Sequence, residues 1–215
     1  RPGHWSNLSV RSIFVQCFEV VTRRVHGRRV PIRYACAMGL ASSCLMMFVT
    51  NASFIYQEYF GVSGFQFPML FALSVLGFMS MNLFSMKRLG PHNAAVFFRR
   101  GLAMQLLAVV ALVTVVVTDN AHLWTVVPFI VVMMSALGLV GPAGSSRYMG
   151  FFHKLAGSAA SVYTTLMFSL GGVLGALTGL FYDGTLLPIV AVMLGASLLA
   201  NTIGLSLPKG GPAGT

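Results

Sequence analysis

The sequence predicts an all-α integral membrane protein, a bundle of six transmembrane helices, and three observations carry that prediction. Of 215 residues, 56% are hydrophobic and only 8% are charged, where a soluble domain carries about 25% charge; the mean hydropathy is +0.81. Six apolar runs follow one another between residues 32 and 207, each of at least the roughly 17 residues with which a helix can cross a hydrocarbon core. The fourteen Lys and Arg residues all fall at the N-terminus, on alternate connections or in the tail. The positive-inside rule then places both termini in the cytoplasm.

Residues 1–31 read as a cytoplasmic linker. Within it, Val10, Ile13, Phe14, Cys17, Phe18, Val21 and Val25 repeat at spacings of three and four, the pattern of an amphipathic helix. Such a helix either lies on the headgroup surface, its arginines drawn to anionic lipid, or packs against the protein's own cytoplasmic side. The bundle proper is expected over 32–208, with a cytoplasmic tail over 209–215. The first span runs from Ile32 to Phe60, preceded by Arg28, Arg29 and Arg33 and closed by Glu58. Later spans are expected over 65–84, 101–117, 124–142, 156–182 and 186–207. Pro68 and Pro188 stand near helix starts, where the missing N–H costs little. Lys87, Arg88, Arg99 and Arg100 are read into the second connection, Arg147 and Lys154 into the fourth, and Lys209 into the tail. The opposite connections hold Glu58, Asp119 and Asp183 and no base. The chain opens on Arg1 rather than Met, with no cleavable signal pattern, as expected for a fragment or for the second half of a longer chain.

Composition removes several function classes. A net charge of +10 and a pI of about 10.3 could suggest nucleic acid, but the bases sit between apolar runs and form no stripe, so no nucleic-acid partner is expected. Cys17, Cys36 and Cys44 suggest no disulfide framework. The histidines (His4, His26, His92, His122, His153) lie in loops or at their edges, which leaves no buried base or nucleophile for an enzyme and no metal or other cofactor site.

The first span is not a plain lipid anchor. At about 3.6 residues per turn, Ser43, Met47, Thr50, Asn51, Phe54, Gln57 and Glu58 share roughly a third of its circumference, opposite Ala41, Leu45, Phe48, Ala52 and Ile55. Two readings follow. The stripe lines a substrate cavity, with Met47 giving adaptable apolar contact; or Thr50 and Asn51 bond across a helix interface, worth about 0.6 kcal/mol on average. In the second span, Phe67, Phe71, Ser74, Phe78 and Asn82 share a face that could complete the cavity or simply pack. The fifth span carries Gly171, Gly175 and Gly179 at every fourth residue, a small-residue ladder that admits close approach by a neighbouring helix of this bundle or of a partner. Asn201, inside the sixth span, is read as structural.

Three stretches resemble one family. TNASFIYQEYFGVSGFQFPMLFAL (Thr50–Leu73), KRLGPHNAAVFFRRG (Lys87–Gly101) and HKLAGSAASVYTTLMFSLGGVLGAL (His153–Leu177) are similar, in order and spacing, to the second half of bicyclomycin-resistance and CflA-type drug:proton antiporters of the major facilitator superfamily. The loop KRLGPHN departs from the superfamily's loop motif in lacking its acidic residue. The resemblance implies half of a twelve-helix fold in a bacterial inner membrane, with an N-terminal six-helix half as partner. It also implies proton-coupled export of small amphipathic drugs by alternating access, with Asn51, Phe54 and their neighbours in one cavity wall. The alternative is a self-sufficient six-span channel or structural membrane protein.

Overall fold

The computed structural model describes residues 10–23, 29–90, 93–152, 155–181 and 183–207. The expected tail at 209–215, four of the five histidines and the bases Arg1, Arg24, Arg28, Lys154 and Lys209 lie outside them. Among the described residues the chain is helical throughout: α1 (Val10–Thr22), α2 (Val30–Ser53), a π-helical turn (Phe54–Tyr59), α3 (Gln66–Arg88), α4 (Ala94–Val117), α5 (Leu123–Met149), α6 (Ala156–Leu180) and α7 (Leu187–Leu205). Six of these are long and apolar enough to cross a membrane. This is the all-α, six-span bundle that composition predicts.

The ends of these helices show how local chemistry sets them. Pro31 and Pro188 stand at the first turns of α2 and α7, where no N–H is needed. At the start of α5, the backbone N–H of His122 donates to Thr125 Oγ1 at 3.1 Å and fixes the entry to the helix. The α3–α4 connection is closed by Asn93, whose Oδ1 accepts from the Gly90 N–H at 2.7 Å while its Nδ2 donates to the Arg88 carbonyl at 2.8 Å. Arg99 caps α7 by donating to the carbonyls of Leu205 and Leu207, a cation on the negative end of a helix.

Three helices extend beyond the spans expected from hydropathy. α3 continues to Arg88, and α4 begins at Ala94, so Arg99 and Arg100 belong to its second turn. α5 runs through Pro142 to Met149 and contains Arg147. Long basic side chains can bury their stems at a helix end and keep the head near the interface, so a hydropathy window ends before the helix does. Arg147 is buried: its Nε donates to the Tyr34 hydroxyl at 3.4 Å and its guanidinium lies 6.0 Å from that ring.

Packing is organised as two triplets. α3 and α4 lean on α5; α6 and α7 lean on α2; α2 meets α5 and α4 meets α7. Exchanging α2–α4 for α5–α7 leaves this set of neighbours unchanged. The two triplets start from opposite sides of the membrane, so the bundle has the pattern of an inverted three-plus-three repeat. α2 and α5 are the central, most buried helices, whereas α3 and α6 bury few residues fully. Gly138 explains how closely α3 seats on α5, since a Cβ there would lie 2.6 Å from the Phe78 carbonyl oxygen and 2.7 Å from the Asn82 nitrogen.

α1 resolves the choice its amphipathic pattern left open, in favour of the protein's own surface. Val20 is fully buried, Ser158 of α6 donates to Gln16 Oε1 at 2.9 Å, and Arg23 stacks over Phe152 at 5.4 Å. Val15 and Phe18 stay exposed.

Candidate functional site

An open groove of about 640 Å³ lies between the C-terminal half of α2 and the N-terminal half of α3, lined by Val49, Ala52 and Ser53 on one side and Phe67, Pro68, Phe71, Ala72, Val75 and Leu76 on the other. Its wall is built from rings. Phe71 stacks on Phe48 at 5.8 Å and 9°, Phe67 lies 6.1 Å from Phe71, and Tyr56 meets Phe48 edge-on at 6.2 Å and Phe67 at 5.9 Å. The two helices thus meet through aromatic side chains rather than through close backbone contact. A wall of rings yields by rotation, unlike the glycine contact that seats α3 on α5.

Behind that wall, the Tyr56 hydroxyl is fully buried and faces that of Ser74 without a hydrogen bond closing between them. A buried polar group left unpaired costs about 1–3 kcal/mol. Tyr56 belongs to the π-helical turn Phe54–Tyr59, a wider ring than the α-helix. Beyond Ser53 the 3.6-residue wheel no longer applies, so the stripe drawn from sequence bends at that point. No residue type in FIYQEY announces the turn, and Tyr56 was missed for that reason; only its neighbouring aromatics hinted at a cluster.

The residues singled out from the sequence separate into three groups. Phe71 lines the groove, and Thr50, Gln57 and Phe54 lie on the open or half-open side of α2 and its π-helical turn, Thr50 donating to the Met46 carbonyl at 2.8 Å. Asn51 is half-buried against α6: its Nδ2 donates to the Met47 carbonyl at 2.8 Å and to Thr178 Oγ1 at 3.3 Å, and Thr178 in turn donates to the Gly175 carbonyl at 2.6 Å. Ser43, Met47 and Ser74 are buried inside the bundle, Ser43 donating to the Leu40 carbonyl at 2.7 Å. Phe78 is half-buried on the α5 side of α3. The reason is position: α2 is surrounded by α5, α6 and α7, so part of any stripe on it must face a neighbour.

The glycine ladder divides too. A Cβ on Gly171 would lie 2.8 Å from the Met46 side chain, which makes this a true close contact with α2. Gly175 and Gly179 would meet no described atom within 4 Å. Crossing helices approach most closely at one point, and of the three rungs Gly171 is the one that meets α2.

The four acids, Glu19, Glu58, Asp119 and Asp183, are all exposed. In the α6–α7 loop, Thr185 donates its hydroxyl (2.6 Å) and its N–H (2.9 Å) to Asp183 Oδ1, and these bonds, the side-chain one foremost, hold the Asp183 carboxyl below its usual range.

No family model and no solved structure matches the chain. Among curated proteins it is similar to YdgK of Bacillus subtilis (strain 168), described as an uncharacterized MFS-type transporter, with 24% identity over 176 residues. That match covers 82% of this chain but only 43% of the relative, so the chain spans less than half of the protein it resembles. The six membrane-length helices in a repeated triplet accord with a similarity to a transporter of that type.

Proposed function

We propose that this chain is the C-terminal half of a proton-coupled exporter of small amphipathic drugs, of the bicyclomycin-resistance and CflA type. It would work by alternating access in a bacterial inner membrane with both termini in the cytoplasm. The observation that carries the reading is the aromatic groove on α2 and α3, next to helices whose apolar faces this chain does not cover. Phe168 and Val173 of α6 and Leu73, Leu76 and Met79 of α3 are exposed at membrane depth. An N-terminal six-helix half laid over these faces would turn the open groove into an enclosed path and give Gly175 and Gly179 a partner.

In this arrangement Phe71 lines the path with Val49, Ala52 and Ser53, Thr50, Phe54 and Gln57 stand beside it on the open side of α2, and Asn51, bonded to Thr178, holds α2 against α6. Ser43, Met47, Ser74 and Phe78 stand behind this wall and set its shape. The wall is apolar and aromatic with a few hydroxyls and amides, which suits flat amphipathic molecules rather than sugars or free amino acids. The coupled proton belongs to the other half, because a coupling acid needs burial to bring its pKa near neutrality and every acid here is exposed.

The test uses everted membrane vesicles containing the full encoded chain. On adding ethidium, or a second lipophilic cation, an imposed pH gradient followed by acridine orange is expected to collapse partly, and Asn51→Leu to weaken that response at least fivefold. A panel of amphipathic compounds that leaves the gradient untouched would overturn the export reading. Ion flux with no substrate at all would favour the six-span channel instead.

A further inference from the structure

A second, smaller cavity of about 410 Å³ lies at the other end of α3, where it meets α4 and α5. Its floor is apolar (Met81, Phe84, Phe97, Leu139) and its charged groups are Arg88 and Arg100. The rings of Phe84 and Phe97 stack at 6.5 Å and the Arg88 guanidinium lies 5.7 Å over Phe84, so one basic head is already held at the mouth. Asn93 completes the rim, its side chain committed to holding the loop closed.

Arg100 is the anomaly. Val96 (45% exposed), Ala103, Leu107 (70%) and Val110 (42%) recur with it at spacings of three and four along the outward face of α4. That face is apolar apart from Arg100 and Thr114 and points away from the α5 and α7 contacts, so it is the lipid side of the helix. Arg100 stands six residues inside the start of α4 at Ala94, about 9 Å along the axis. Its neighbour Arg99 is occupied with the α7 carbonyls, and a second shallow groove of about 270 Å³, lined by Arg99, Arg100, Leu102, Ala103, Asn201, Gly204 and Leu205, adjoins Arg100 from the α7 side. A cation on a lipid-facing stripe near a helix end is stabilised by snorkelling to the interface and by an anion held there, with apolar surface on either side of it. A phospholipid supplies both, and basic pockets between membrane helices are the usual seat for anionic headgroups.

We propose that Arg88 and Arg100 bind the phosphate of an anionic glycerophospholipid, with an acyl chain lying along Phe84, Met81 and Leu139. The site is separate from the α2–α3 groove and independent of what that groove transports. It needs only the six-span bundle and a bilayer around it.

Thermal unfolding of the purified full chain in mild detergent tests this, with phosphatidylglycerol, phosphatidylcholine or inorganic phosphate added in turn, and native mass spectrometry counting the lipids retained. Phosphatidylglycerol is expected to raise the melting temperature and remain bound, phosphatidylcholine to do so about tenfold more weakly, and millimolar phosphate to have no effect. Arg100→Gln should weaken the phosphatidylglycerol effect about tenfold, in the range of one charge-assisted hydrogen bond. The double change with Arg88→Gln should abolish it, and Arg100→Lys should retain part of it. Lys87→Gln removes a neighbouring charge outside the cavity and should change nothing. Equal effects of Lys87→Gln and Arg100→Gln would mean that only overall charge matters and would overturn the site. Equal binding of the two lipids would remove the anionic requirement, and stabilisation by phosphate alone would remove the lipid; either result overturns the proposal. An Arg100→Gln protein that binds phosphatidylglycerol like the parent sinks it outright.

Discussion

Asp119 holds a left-handed backbone, φ 53°, in the turn between α4 and α5, a conformation that costs a residue with a Cβ about 1–2 kcal/mol. Asp119→Gly is therefore expected to unfold at the same or a slightly higher temperature than the parent, and Asp119→Val to lose about 1–2 kcal/mol of stability, both read by thermal unfolding in detergent. Asp183 makes a pH prediction. Its carboxyl is depressed by the Thr185 bonds, so their hold on the entry to α7 is present above the ordinary value of about 4 and fades as pH falls through the lowered one. Thr185→Val should raise the Asp183 titration toward about 4, measured by chemical shift on labelled aspartate; an unchanged midpoint would show that the hydroxyl is not the cause. The same scale explains what could be read beforehand. Asn51 was legible as polar in an apolar span, but its partner Thr178 lies 127 positions away, and no spacing rule joins two such residues.

At the scale of elements, the glycines of α5 and α6 separate packing from pattern. Gly138→Ala forces a methyl against the backbone of α3, which has no side chain to move aside, so a loss of about 1–3 kcal/mol is expected. Gly171→Leu meets the flexible Met46 but is far larger and should lower folded yield. A Cβ on Gly175 meets no described atom within 4 Å, so a loss of folding or transport caused by Gly175→Leu in the full-length protein points to contact with the other half. If Gly175→Leu is harmless there while Gly171→Leu is not, the outer part of α6 faces lipid. The sequence displayed the four-residue ladder plainly, but which rung touches a neighbour depends on the crossing point of α6 on α2.

For the whole molecule, the distribution of charge predicts orientation. In a variant stripped of its three cysteines, new cysteines at Asp119 and Asp183 should react with an impermeant reagent in intact cells, and cysteines replacing His92 and Lys209 should not. The opposite pattern would invert the protein. The division of labour between halves makes a second prediction: Glu58→Gln should leave proton-driven export nearly unchanged, within about twofold. If that change abolished coupling while drug binding persisted, this half would hold the proton site.

Chain composition alone was enough to determine the all-α class of the protein and the number of membrane-length helices. Each of these follows from the transfer of whole segments between water and hydrocarbon, a property of local composition. Only the tertiary structure decided which side of each helix faces a neighbour. Ser43 and Met47 were drawn on one stripe with Thr50, yet packing with α5, α6 and α7 buries the first two and leaves Thr50 open. The π-helical turn at Phe54–Tyr59, the ring-built groove and the exposed position of Arg100 on α4 are likewise products of how helices meet, and in a chain whose spans are apolar on nearly every side no periodicity marks the face that will be covered.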